Sequence, residues 1–225
     1  MYSKEWDLIY QKIRKDFGFS LEDDELAANV LDKLMKNKKR YSIDALERKI
    51  HDKDIVVFGA GPNLESVLKE RKFPEATIVA VDGTTTALLE YDILPDIIVT
   101  DLDGKPEDQI KANHAGSIAV VHAHGDNIDK IGKYIPKFKG FLIGTIQVDP
   151  SNYKNLYNFG GFTDGDRAAY MAAYFRPRKI HLAAFDFETV GKYSFTKNTM
   201  RKLKKLRWCQ YLLKRLEKET NIIYI

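Results

Sequence analysis

The chain has 225 residues, 44 % of them hydrophobic and 30 % charged, which is enough apolar material for one well-filled α/β core with extra helices and excludes general disorder. The net charge is only +4 and the single cysteine, Cys209, rules out an internal disulfide or an all-cysteine metal site within one chain. No run approaches eighteen uncharged apolar residues, and the start Met-Tyr-Ser-Lys-Glu-Trp-Asp lacks the basic-then-apolar order of a secretory signal, so a soluble cytoplasmic protein with no membrane partner is expected.

Residues 1–50 read as an accessory helical segment and residues 51–225 as an α/β domain. In the first segment Trp6, Leu8, Ile9 and Ile13 form one apolar set, and Leu26, Val30, Leu31, Leu34 and Met35 a second. Gly18 and Ser20 separate them, with Ser20 placed to cap the second helix. These apolar faces are suited to covering a sheet or to forming a homodimer interface.

From Asp54 the chain alternates short apolar runs with helical patterns, and strands are predicted over 55–58, 77–81, 97–100, 117–121, 141–144 and 180–184. A late edge or antiparallel strand is predicted over 222–225. The alternation defines a three-layer, Rossmann-like, mostly parallel sheet with flanking helices. Two further strand-like runs, 145–148 and 156–159, surround Pro150 and Ser151.

Most of the predicted strands end in residues suited to polar chemistry, at the edge where open α/β sheets place ligands. After 55–58 comes Gly59-Ala60-Gly61-Pro62-Asn63, where Gly59 and Gly61 permit close approach of a ligand to backbone and Pro62 opens a helix whose first amides are free for an anion. A plain tight turn is the alternative. After 77–81 comes Asp82-Gly83-Thr84-Thr85-Thr86, an acid suited to ribose hydroxyls and hydroxyls that either meet phosphate or cap the helix. After 97–100 come Asp101 and Asp103, two nearby carboxylates that need a cation, proton or basic side chain to offset them, or else form a solvent-facing acidic turn. The run Val120-Val121-His122-Ala123-His124-Gly125-Asp126-Asn127 brings two imidazoles to a strand exit, for a metal, a substrate or a cap.

In Gly161-Phe162-Thr163-Asp164-Gly165-Asp166-Arg167, the Thr163 and Asp166 spacing matches a capping arrangement, while Asp164, Asp166 and Arg167 together suit a metal-phosphate group. After 180–184, Phe185 and Asp186 could meet a heterocycle, with Asp186 equally able to be structural. Finally, Lys192 to Lys218 holds ten Lys or Arg residues and one acid, Glu217, a positive field for a triphosphate, for nucleic acid, or simply a solvated helix face. Nucleic acid is disfavoured, since the acidic loops repel a phosphate backbone and no aromatic-rich binding motif accompanies the basic helix.

Taken together, PDIIVTDLDG, VDGTT, VHAHGDN and GFTDGDRA, with VFGAGPNLE before them, resemble the archaeal 6-hydroxymethyl-7,8-dihydropterin diphosphokinase family, the MptE-like group, over most of residues 54 to 190. The IIVTDLDG segment is also similar to the acidic metal-binding segment of thiamine diphosphokinases, although Gly104 stands where those enzymes typically have serine. Some bacterial relatives act in flagellin glycosylation.

The pterin resemblance implies Mg²⁺-dependent transfer of the terminal diphosphoryl unit of ATP to the hydroxymethyl oxygen of the pterin, releasing AMP. It implies Asp101 and Asp103 as first metal ligands, with Asp164 and Asp166 added to the metal set. Arg167, His122 and His124 become catalytic candidates. Gly59, Gly61, Asn63, Asp82, Thr84, Thr85, Lys192 and Lys197 become candidates for ATP, and Asp126, Asn127 and Asp186 for pterin.

Overall fold

The computed structural model describes residues 3–70, 73 and 75–225. Three helices come first: α1 (Lys4–Phe17), α2 (Leu21–Met35) and α3 (Ile43–Ile50). Each starts on a serine whose hydroxyl accepts a backbone N–H, Ser3 from Trp6, Ser20 from Asp23 and Ser42 from Ala45. α1 stops at Gly18, whose φ of 70° is left-handed and cheap only for glycine.

There follow β1 (Asp54–Phe58), α4 (Leu64–Glu70), β2 (Thr77–Val81), α5 (Thr84–Glu90), β3 (Ile97–Thr100), α6 (Pro106–Ala115) and β4 (Ile118–Ala123). Then come α7 (Ile128–Tyr134), β5 (Leu142–Ile146), β6 (Leu156–Tyr157), α8 (Asp164–Tyr174), β7 (Lys179–Ala183), α9 (Thr199–Leu216) and β8 (Ile222–Tyr224). The eight strands form one sheet in the order β6-β5-β4-β3-β2-β1-β7-β8, parallel throughout. Of the two readings for the last strand, β8 is an edge strand and not an antiparallel one: α9 carries the chain back along the sheet, so β8 enters from the same end as β7.

Parallel strands buried on both faces are apolar at successive positions, which is why β1, β3 and β4 are uninterrupted runs. Alternate residues then serve opposite layers. Ile55, Val57, Val79, Ile97, Val99 and Leu182 pack against α8, α9 and α3 through Met171, Leu213 and Leu46. On the other face Val56, Phe58 and Ala80 meet α4 and α5, while Ala119, Val121 and Leu142 meet Leu31 and Met35 of α2. A three-layer α/β architecture results.

The two runs after Gly140 also resolve. Thr145 and Ile146 end β5, whereas Gln147 and Val148 leave the sheet and give their carbonyls to Asn158 Nδ2, both at 3.0 Å. The run 156–159 contributes only the two residues of β6.

Strand order reverses at β1: β2 to β6 are laid down on one side of it and β7 and β8 on the other. The carboxyl ends of β1, β2 and β7 therefore diverge into a crevice at this switch point. Among the described residues, no helix is long and apolar enough to cross a membrane.

Candidate active site

The crevice is a cleft of about 560 Å³ floored by strand exits and walled on one side by the loop 186–198 and the start of α9. Its floor carries an acidic cluster. Asp82 follows β2, Asp101 follows β3 and Asp164 opens α8, and one ligand oxygen from each lies within 4.8 Å of the others. The first two are brought together by sheet register, since Val81 pairs with Val99 and the Asp82 amide donates to Val99 O at 3.0 Å. Thr100 ties them further: its hydroxyl lies 2.7 Å from Asp82 Oδ1 and accepts the Leu102 amide at 2.7 Å. Asp82, Leu102 and Ala184 have φ of 42°, 68° and 54°, left-handed for residues that carry a Cβ. Such positions cost on the order of 1 kcal/mol or more and cluster where a site demands sharp turns at strand ends.

Each acid has a different counterweight. His124 Nδ1 accepts the Asp126 amide at 3.2 Å, which leaves the proton on Nε2, 3.2 Å from Asp101 Oδ2. Burial works against ionising Asp101, and this hydrogen bond together with the positive field of His124, Lys205 and Arg167 outweighs it, holding the carboxyl well below its usual range. Arg167 Nη1 donates to Asp164 Oδ1 at 3.1 Å, but burial and Asp101 still push Asp164 up. Asp82, which forms no ion pair among the described residues, is pushed well up by burial and then by Asp164 and Asp101.

Asp103 sits apart. The left-handed turn at Leu102 swings it to the cleft rim, half-exposed, where it pairs with Lys130. Asp166 is outside the cleft altogether: it is fully buried, its Oδ2 accepts the Phe162 amide at 2.5 Å, and its Oδ1 accepts the amide and hydroxyl of Thr163. Both oxygens are spent on the capping box of α8, the structural alternative for this residue.

His122 is likewise buried away from the cleft. Its Nε2 donates to Gln147 Oε1 at 2.9 Å, its Nδ1 lies 3.0 Å from Thr145 Oγ1, and burial keeps the ring neutral by pushing its pKa well down. Gln147 Oε1 also accepts Arg167 Nη2 at 3.0 Å, so a buried chain runs from His122 to the cluster acid Asp164.

The glycine turn differs from its expected use. Gly59 N donates to Ala183 O at 2.8 Å and Gly61 N to Ala184 O at 2.9 Å, so these amides continue the β1 to β7 pairing instead of waiting for an anion. A Cβ on Gly61 would lie 2.5 Å from Ala184 O. Both glycines still line the cleft, whereas Asn63 is exposed outside it. Thr84 Oγ1 accepts the Val81 amide at 2.8 Å, and Thr84 and Thr85 are buried under the helix start. Lys192 lies outside the cleft and pairs with Glu65 at 3.0 Å.

Lys197 lines the cleft, and with it Arg201, Lys202 and Lys205, three residues at i, i+1 and i+4 that the helical period of α9 turns the same way. Arg201 pairs with Asp126 at 2.9 Å, which occupies that acid. Lys197 and Lys202 hold no ion pair among the described residues, and Lys205 helps to depress Asp101. The sequence marked this segment as basic without singling out Arg201, Lys202 or Lys205. Gln147 and Lys130 carried no signal at all.

On the far side Phe185 packs its ring beside Gly59 and Gly165, and Asp186 Oδ1 accepts the Glu188 and Thr189 amides, each at 2.8 Å. Burial works against Asp186, and these amides outweigh it, keeping its carboxyl below the usual range. Asn127 is spent internally: its Nδ2 donates to Asp101 O at 2.9 Å and His122 O at 2.8 Å, and its Oδ1 accepts the His124 amide.

Fold and site together define a doubly wound α/β protein in which buried carboxylates face a basic helix across a cleft at the sheet's switch point. The family model described as 6-hydroxymethylpterin diphosphokinase MptE-like matches residues 11–192. The chain belongs to that family. It is 39 % identical to the 6-hydroxymethyl-7,8-dihydropterin pyrophosphokinase of Methanocaldococcus jannaschii over the full length of both chains. It is 42 % identical to that of Pyrococcus furiosus over 95 % of this chain and 94 % of the relative, and 47 % identical to that of Methanothermobacter thermautotrophicus over 84 % and 81 %. A solved thiamin pyrophosphokinase from Geobacillus thermodenitrificans aligns with 76 % of this chain and 59 % of its own at a TM-score of 0.39 and 17 % identity.

Proposed function

We propose that this chain transfers the terminal diphosphoryl group of ATP to the hydroxymethyl oxygen of 6-hydroxymethyl-7,8-dihydropterin, releasing AMP, with Mg²⁺ as the cation. Family membership supports the reaction, as do three relatives that bear the pyrophosphokinase name over most or all of their length. The single observation that carries the reading into chemistry is the facing of Asp82, Asp101 and Asp164 by Lys197, Lys202 and Lys205 across one cleft.

The acidic floor fits a hard divalent cation. Its donors are all carboxylate oxygens, the type Mg²⁺ prefers, and burial first, then repulsion from Asp164 and Asp101, pushes Asp82 up, a cost that a bound cation would offset. Asp82, Asp101 and Asp164 would hold the ion, with Asp103 at the rim and Asp166 reserved for the cap. When bound, Mg²⁺ supplies charge neutralisation for the phosphate oxygens of ATP.

The protein's own part is to bind, orient and exclude. Lys197, Lys202 and Lys205 neutralise the polyphosphate from the side opposite the acids, so that the alcohol oxygen approaches the β-phosphorus in line with the departing AMP oxygen. An O–P bond forms to the alcohol, the P–O bond to AMP breaks with its electron pair leaving on AMP, and the alcohol proton passes to water or a phosphate oxygen. His124 is an orienting group here, because one ring nitrogen accepts a backbone amide and the other donates to Asp101. Arg167 acts on Asp164 from behind the cleft wall, sharing Gln147 with His122.

For the pterin, Phe185 offers an apolar face, and Asp186, kept ionised, offers acceptors to the N–H groups of an aminopyrimidinone edge. Chromatographic measurement of nucleotide products tests the whole reading. AMP should appear only with reduced hydroxymethylpterin and Mg²⁺ both present. ADP as the product, or AMP formation that thiamine supports equally well, refutes it.

A further inference from the structure

The turn between α1 and α2 reaches the acidic floor from outside the sheet domain. Asp24, in the first turn of α2, is 3 % exposed and accepts two hydrogen bonds, from Tyr10 OH at 2.5 Å and from Gly125 N at 2.9 Å. Gly125 is the residue after His124, and the backbone there presses so closely on α2 that a Cβ on Gly125 would lie 2.7 Å from Asp23 Cβ. Between this turn and the main cleft lies a cavity of about 70 Å³ bordered by Tyr10, Asp24, His124, Gln147, Arg167 and Lys205. The adjoining end of α1 touches the opposite wall, where Asp16 pairs with Lys204 of α9 at 2.8 Å and accepts Trp208 Nε1 at 2.8 Å.

We propose that Asp24 is a positioning residue of the active site: through the Gly125 amide it fixes the turn that aims His124 at Asp101. The inference rests on the reading of Asp101 as a metal ligand. The chain of contacts is short and continuous, Tyr10 to Asp24 to Gly125 to the His124 ring to Asp101 Oδ2, and every link is a hydrogen bond or a peptide bond. Among the described residues Asp101 is the one side chain that His124 hydrogen-bonds, and its Nδ1 is held by the Asp126 amide in the same turn. Without Asp24 the Gly125 amide loses its acceptor, and the 124–126 turn keeps its packing on Asp23 but loses the hydrogen bond that ties it to α2. Groups that orient a metal ligand in this indirect way typically change metal affinity or rate by about 10- to 100-fold when removed.

The test is Mn²⁺ binding by electron paramagnetic resonance on the full chain without nucleotide or pterin, alongside kcat, KM for ATP and Tm. Asp24→Ala should weaken Mn²⁺ binding and lower kcat by about tenfold each, with KM for ATP little changed. Asp24→Asn should recover most of both, because its Oδ1 still accepts the Gly125 N–H while its Nδ2 donates to the Tyr10 oxygen. A purely structural Asp24 would lower Tm and leave the Mn²⁺ affinity of the folded protein intact, and that result overturns the proposal. Gly125→Ala moves the turn while leaving the Tyr10 to Asp24 bond in place, and it decides the matter if Asp24→Ala does not fold: wild-type Mn²⁺ affinity there overturns the inference. Asp101→Asn separates the two levels. Unchanged Mn²⁺ affinity in Asp101→Asn removes the metal-ligand reading itself, whereas lost affinity there with normal affinity in Asp24→Ala removes the role of Asp24 alone.

Discussion

The two sides of the cleft are built on opposite plans. The acidic floor comes from three separated strand and helix ends, its groups are largely buried, and they are held in turn by a threonine hydroxyl, a histidine and an arginine. The basic wall comes from one continuous stretch around the start of α9, it is half-exposed, and Lys197 and Lys202 hold no ion pair among the described residues. The floor must present fixed oxygens to a cation, so its geometry is set at the expense of stability through repulsion and strained turns. The wall must follow phosphate oxygens whose positions change during transfer, and flexible lysines whose stems pack while their heads stay solvated suit that task.

This contrast predicts opposite stability signatures. Asp82→Asn or Asp101→Asn should lower kcat by roughly 10³-fold, equivalent to about 4 kcal/mol of lost stabilisation, as read by AMP production. In chelator, however, Asp82→Asn should raise Tm by about 2–4 °C, since it removes one of three repelling acids. A lowered Tm in that variant breaks the view of the floor as a strained preorganised site. Lys202→Ala and Lys205→Ala should lower kcat/KM for ATP by about 10- to 100-fold with Tm hardly moved. Loss of fold in either would mean that the wall is as structural as the floor.

The acids of the floor stood out in the sequence, although Asp82 was read there for ribose and Asp103 and Asp166 for the metal, and the wall was legible only in part, for physical reasons. Buried parallel strands must be continuous apolar runs, so β1, β2, β3 and β7 can be read directly, and the acids that follow them stand out at the ligand-bearing edge. Which acid faces inward depends on turn dihedrals. The left-handed Leu102 sends Asp103 to the rim, and the reciprocal bonds with Thr163 bind Asp166 into a cap, neither of which the spacing of residues reveals. The direction of β8 depends on where α9 lands, a tertiary fact. Gln147 gave no pattern because its role comes from receiving two donors, His122 and Arg167, from different elements.

Behind the floor, His122 gives a smaller and pH-dependent test of the same contrast. Its pKa is pushed down in the folded protein, chiefly by burial, from an ordinary value of 6.5, so the unfolded chain binds a proton there that the folded chain does not. Stability from this group is therefore present above pH 6.5 and is lost as pH falls below it, by at most about 1.4 kcal/mol per pH unit. Calorimetry between pH 7 and 5 should show a steeper fall in Tm for the wild type than for His122→Gln. Equal slopes would mean that the ring is not buried neutral behind Arg167.

The smallest effect belongs to Lys192, which shares the basic segment with Lys202 but not its direction. Its Nζ pairs with Glu65 at 3.0 Å and lies 3.3 Å from Tyr193 OH, outside the cleft. These partners push its pKa up, the Glu65 hydrogen bond first, yet the pair stands in solvent where salt and water screen it. Lys192→Ala should leave kcat and KM for ATP within about twofold of wild type and Tm within about 1 °C. A tenfold rise in KM for ATP would show that the loop 186–198 turns over on binding and brings Lys192 to the phosphates. The wall would then be assembled by the nucleotide, whereas the floor awaits it already formed.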